Sequence, residues 1–205
     1  MIKVKELLTG WKAGKIVIAA NGAPLRIANV QYSMRQGTAP GSVPVPANGE
    51  GGVVTHWQIS NLVHSSLFKA KYRLTPEIKR NLTWMTHTTE PSGTINLARF
   101  GGTPNDTGRT IVARLLIESA FDQVKELSFG FSDQIKVYLN DQALYYGTDK
   151  QYSRDYRFLG TIGYFDRLFL HFKKGINELC LVVSEDFGGW GVKAKFENMD
   201  NISLK

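Results

Sequence analysis

Two stretches of the chain gather side chains able to do chemistry. One is the polar-aromatic run 153–166, which opens Ser153-Arg154-Asp155-Tyr156-Arg157; the other is Ser184-Glu185-Asp186-Phe187-Gly188-Gly189-Trp190. If the first run is extended, alternate members face the same side. Guanidinium groups fork onto hydroxyls or carboxylates, and a tyrosine ring stacks on a sugar face. The same residues could instead form an Arg–Asp ion pair that pins a long loop onto the body of the domain. Glu185 and Asp186 could take Ca²⁺ through their oxygens or act as acid and base. Neighbours on an extended chain point opposite ways, however, so this pair alone is not the facing carboxylate pair of a glycosidase. Phe187-Gly188-Gly189-Trp190 also reads as a tight turn whose aromatics cover the edge of a core. The candidate ligand-binding set is therefore Arg154, Asp155, Tyr156, Arg157, Glu185, Asp186 and Trp190, with no catalytic or metal set expected.

The commoner chemistries have no support. The single cysteine, Cys180, lies in a strand pattern, Glu178-Leu179-Cys180-Leu181-Val182-Val183, and reads as a small packed residue rather than a nucleophile. His56, His64, His87 and His171 show neither HxH nor HExxH spacing, and GxSxG, P-loop and GxGxxG patterns are absent. Trp11, Trp57, Trp84 and Trp190 are candidates for sugar-stacking platforms and equally for core residues. The net charge of +7 comes from scattered lysines and arginines with no run of five, which reads as a solvated basic surface and not as a nucleic-acid footprint. No apolar run approaches the ~18 residues of a membrane helix. Lys5, Glu6 and Lys12 break the apolar start too early for a signal-peptide core.

These loops must be positioned by strands. With 205 residues and 42% hydrophobic content the chain suits one all-β domain with a small appendage. Ile135, Val137 and Leu139 alternate with Lys136, Tyr138 and Asn140, the period of a half-buried strand, and Asn140-Asp141 turns the chain into a second one. Ile111, Ala113, Leu115 and Ile117 fall on one face of another strand, and Leu127, Phe129 and Phe131 on the next. Leu168, Leu170 and Phe172 are expected to pair as a hairpin with Leu179, Leu181 and Val183 across 173–177. Val192, Ala194 and Phe196 supply a last strand, and 94–100 an earlier one. Thr75 is expected to cap a short helix with Pro76 at its first position. Short alternating strands with turns between them indicate a sandwich or barrel.

Before this body lie a short β-rich appendage, residues 1–36, and a linker, 37–52, whose Pro and Gly content excludes a helix or central strand. The main domain is expected over 53–205.

The stretch Lys136-Val137-Tyr138-Leu139-Asn140 resembles the "VYLNG" hairpin of galactose-binding-like β-sandwich domains. Glu90–Leu97, Thr110–Arg114, 153–166 and 184–191 resemble the corresponding segments of the same group. Gly22-Ala23-Pro24-Leu25-Arg26-Ile27 is similar to the closing strands of a concanavalin or laminin-G jelly-roll. Asp141 stands where the hairpin usually has Gly, so a longer turn or another turn type is expected.

The resemblance implies a jelly-roll β-sandwich and a non-catalytic binding or accessory module with carbohydrate as its partner. It implies a group that is often exported; no cofactor is expected, with a structural Ca²⁺ left open by Glu185 and Asp186. The residues leave open a glycoside hydrolase whose acids converge only in the fold, and a purely structural interaction domain. An exposed aromatic ringed by hydrogen-bonding groups would favour the binder. Two carboxylates ~5–10 Å apart in a cleft would favour the enzyme.

Overall fold

The computed structural model describes residues 46–101, 109–150, 153, 161–186 and 189–205. Strands run in chain order as β1 (His56–Ser60), β2 (Val63–His64), β3 (Trp84–Thr88), β4 (Ile95–Asn96), β5 (Arg109–Ser119), β6 (Gln123–Ser132), β7 (Gln134–Leu139), β8 (Gln142–Thr148), β9 (Asp166–Phe172), β10 (Gly175–Ser184), β11 (Gly191–Phe196) and β12 (Ile202–Leu204). They form two antiparallel sheets, so the domain is an all-β sandwich. The larger sheet has the order β3-β1-β5-β10-β7-β8, with β2 and β12 also paired to β5; the smaller is β4-β11-β6-β9.

The core follows the period-2 pattern. Ile111, Ala113, Leu115 and Ile117 of β5, Leu179, Leu181 and Val183 of β10, and Ile135, Val137 and Leu139 of β7 all point inward from the larger sheet. They meet Leu127, Phe129 and Phe131 of β6, with Val192, Ala194 and Phe196 of β11, in one buried cluster. The register expected from sequence holds at each of these positions.

The larger sheet is covered on its other face as well. Val112, Tyr138, Cys180 and Val182 pack outward against Phe68, Leu74, Ile78 and Leu82 from the segment between β2 and β3. That segment carries the helix α1 (Pro76–Arg80), capped as expected: the Thr75 hydroxyl accepts the Ile78 amide at 3.4 Å. Burial here pushes the Cys180 thiol well above its ordinary pKa, which leaves it protonated and packed. Cys180 is expected to resist a thiol reagent such as DTNB in the folded protein and to react at once in denaturant; rapid labelling of the folded chain would contradict this packing.

Four expectations are corrected. β9 and β10 are not a hairpin: β9 pairs β6 in the smaller sheet, while β10 lies between β5 and β7 in the larger one. Gly175, at φ 94, gives the corner that takes the chain across, and the Asn177 side chain holds it by accepting the Lys173 amide at 2.9 Å. Residues 94–100 form only the two-residue β4, followed by a 3₁₀ turn, Leu97–Arg99, because the Leu97 amide bonds the Trp190 carbonyl at 2.9 Å.

The linker expectation fails at its C-terminal end. Asn48 accepts the amides of Thr55 and His56 at 3.0 and 3.2 Å, and Glu50–Gly52 is a 3₁₀ turn. Gly52, at φ 81, lies so close to the Phe196 carbonyl that a Cβ would collide with it. The appendage and residues 37–45 lie outside the described residues.

The Asn140-Asp141 turn is neither longer nor of another type. Leu139 pairs Gln142 directly, and both turn residues are left-handed, φ 49 and 70, as a two-residue type I′ turn requires. Neighbours hold what Gly would have given freely. The Asn140 amide group donates to Asn177 Oδ1 at 2.8 Å, its Oδ1 accepts the Glu178 amide at 2.9 Å, and the Asp141 carboxylate is ion-paired with Lys79. Asn140→Ala removes both bonds and leaves a Cβ in left-handed backbone, so it should cost about 1–3 kcal/mol by urea unfolding. A cost under about 0.5 kcal/mol would contradict this account of the turn.

Candidate functional site

Among the described residues, the segment between β2 and β3 packs closely on the outward face of the larger sheet at its α1 end. At the α1 end, Lys79 pairs with Asp141 and Glu178, and Arg114 bonds Glu178 and Gln58 while its guanidinium lies 3.8 Å from the Trp84 ring centre. Towards the other end of β10 the cover lifts from the sheet and leaves a groove of about 790 Å³. Gln134, Lys136, Leu144, Tyr146, Val182 and Ser184 contribute to it from the sheet. The run from His64 to Tyr72 forms its wall.

The wall is fastened to the sheet at both ends and in the middle. Val63–His64 pairs β5 at Thr110 and Arg109, and the Tyr72 carbonyl accepts the Ala143 amide at 3.0 Å. Between them the Lys136 ammonium donates to the Phe68 carbonyl at 2.6 Å, and the Tyr138 hydroxyl to the Lys71 carbonyl at 2.8 Å. Ala70 is held left-handed at φ 52, a conformation that costs a non-glycine residue and persists only where its surroundings impose it. A wall tied in this way is shaped before any ligand arrives, which lowers the ordering cost of binding.

Strand geometry aims Tyr146. Tyr146 is opposite Lys136 in the β7–β8 register and so shares its outward face. A register shift between Val137 and Tyr138 puts an extra residue into β8 at Leu144; bulges of this kind re-aim side chains beside binding surfaces. Tyr146 is 58% exposed and Tyr72, on the wall, 80%. The Tyr146 hydroxyl donates to Gln134 Oε1 at 3.1 Å, and the Lys136 ammonium lies 6.0 Å from its ring centre. Burial pushes the Lys136 ammonium below the usual lysine pKa. Ser66 and His64, 2.9 Å apart, add further hydrogen-bonding groups.

Of the seven residues singled out in the sequence, the described ones, Glu185, Asp186 and Trp190, do not line this groove. Arg154, Asp155, Tyr156 and Arg157 are outside the described residues. Glu185 and Trp190 sit at the end of the sandwich, where both engage Arg109: its guanidinium is ion-paired with Glu185 and lies 5.1 Å from the Trp190 ring centre. Trp190 is fully buried in the core. Burial raises the Glu185 carboxyl pKa, and Arg109 opposes that shift. Asp186 is paired with Lys150 at 3.0 Å, and its amide donates to the buried Asp133 at 2.6 Å. The described end of the polar-aromatic run, 161–166, reaches the same end of the sandwich, since Gly163 lies against Gly130 and Ile162 beside Gly191. Among the described residues, no group of three His, Cys, Asp or Glu could hold a metal.

One solved structure resembles this fold. It is a family 35 carbohydrate binding module from an environmental isolate, 15% identical, with the match covering 51% of this chain and 82% of that one at a TM-score of 0.33. At that score the two folds superpose too loosely to carry a functional comparison. No protein-family model matches the chain, and no curated protein matches it.

The groove residues left only a faint trace in the sequence. Tyr145 and Tyr146 are adjacent on a strand, so only one can face the core, and the other must be displayed. Lys69-Ala70-Lys71-Tyr72 is a basic-aromatic run in a loop, of the same character as the runs that were singled out. That Tyr72 and Tyr146 line one groove depends on contacts far apart in the chain.

Proposed function

We propose that this chain is a non-catalytic carbohydrate-binding module of galactose-binding-like, jelly-roll type, and that its glycan lies in the groove between the 64–72 wall and strands β7 and β8. The observation that carries this reading is the pair of displayed rings, Tyr72 and Tyr146, around a groove with amide, hydroxyl and ammonium groups along it. Sugars offer an apolar ring face and a rim of hydroxyls. An aromatic flanked by hydrogen-bonding groups answers both. The rigid, pre-shaped wall fits binding without rearrangement.

Binding is preferred to hydrolysis for a specific reason. A glycosidase needs two carboxylates across its cleft, and the described residues lining this groove include neither Asp nor Glu. The test is a glycan-array screen of the whole chain, repeated with Tyr72→Ala and Tyr146→Ala. Retained affinity in both variants, or no glycan bound by the wild type, would overturn the proposal.

A further inference from the structure

We infer that the groove selects an anionic glycan, one bearing carboxylate or sulfate groups, through Lys69, Lys71 and Lys136. The inference rests on the carbohydrate reading above and adds the charge of the ligand.

Its basis is an imbalance on one face of one sheet. At the α1 end the cations are neutralised: Lys79 by Asp141 and Glu178, Arg114 by Glu178. In the groove, three lysines meet no such partner among the described residues. Lys69, Lys71 and Lys136 all line it, and none makes an ion pair with any described residue. Lys136 is the telling member. It is on the sheet beneath the wall and has three donors, of which one goes to the Phe68 carbonyl. A partly desolvated ammonium without an anion is unfavourable, and burial already weakens its hold on its proton. An incoming carboxylate or sulfate would relieve that cost. A neutral sugar would leave it in place.

The two wall lysines fit the same role. They bracket Ala70, which is locked left-handed by the bonds to Phe68 and Lys71, so the backbone that carries both is fixed. Tyr72 follows directly, so a ring face and two positive charges belong to one four-residue stretch of the wall, 69–72. An acidic polysaccharide repeats the matching pattern, a sugar ring face with an anionic group on its rim.

The experiment measures affinity for two matched pairs of polymers: polygalacturonate against its fully methyl-esterified form, and dextran sulfate against dextran. The proteins are the wild type, a Lys69→Gln/Lys71→Gln variant, and a Lys174→Gln/Lys195→Gln control of equal charge loss away from the groove. Wild type should bind one anionic polymer at least about tenfold more tightly than its neutral counterpart, with affinity falling as salt rises. The groove variant should lose about tenfold while the control loses little. The anionic polymer that wins separates carboxylate from sulfate.

Equal losses in the two variants would mean non-specific attraction to a basic protein and would overturn the inference. So would a neutral glycan bound as well as the anionic polymers, although the carbohydrate reading would then survive. Failure to bind these polymers or any array glycan would overturn the carbohydrate reading, and this inference with it.

Discussion

Phe129→Ala is expected to lower the free energy of unfolding by about 3–5 kcal/mol. Phe129 is on β6, the strand of the smaller sheet paired on one side with β11 and on the other with β9. Its side chain is fully buried between the sheets. It meets Tyr145 edge-on with ring centres 5.5 Å apart and lies 6.3 Å from Phe131. Truncation removes the transfer energy of the ring and both aromatic contacts. The walls cannot close the space, because β6 is hydrogen-bonded along both edges and Tyr145 is anchored through its hydroxyl to Asp166 at 2.8 Å. Collapse would require strands to leave their ladders. Domains of this kind have only about 5–15 kcal/mol in total, so the loss should be plain in a urea titration as a lower midpoint at unchanged slope. A cost below about 1 kcal/mol would mean that the sheets do not face each other there as described.

Tyr146→Ala and Tyr72→Ala should each weaken glycan binding by about 1–2 kcal/mol, roughly five- to thirtyfold, and the double variant should bind no glycan measurably. Neither side chain belongs to the core, so each change should leave stability within about 0.5 kcal/mol and the melting temperature within about 2 °C. The bond from Ala143 to the Tyr72 carbonyl is made by the backbone and survives the substitution. Tyr146→Phe separates two contributions: it keeps the ring face and removes the hydroxyl that bonds Gln134. Near wild-type affinity is expected for it if stacking dominates. A large fall in melting temperature with no change in affinity, for either alanine variant, would make these tyrosines structural.

What was legible in the sequence is what alternation encodes. Leu115 and Ile117, or Ile135 and Val137, need only know that every second residue faces inward, and one face of each strand is apolar. Alternation says nothing about which sheet a strand joins. Leu168-Leu170-Phe172 and Leu179-Leu181-Val183 would face a core equally well as a hairpin or from opposite sheets, and Lys173-Lys174-Gly175 suits both. The corner at Gly175 and the Asn177 bonds decide it, and both belong to the folded chain. Aromatic and acidic residues in a Gly-rich turn, such as Trp190 and Glu185, suit either a ligand or a brace; both engage Arg109, a residue distant in sequence. The groove was hidden for a related reason. Its floor lies on β7, β8 and β10 and its wall precedes them by more than sixty residues, so no local pattern could join Tyr72 to Tyr146.

The central claim is one of place: a glycan binds on the outer face of the larger sheet. The most direct test is a set of ¹⁵N-edited NMR spectra of the chain titrated with the best glycan from the array. The account predicts amide shifts concentrated in residues 64–72, 134–136 and 143–146, with the Arg109–Glu185–Trp190 end unmoved. Shifts confined to 161–166 and 185–190, with the groove amides silent, would contradict it.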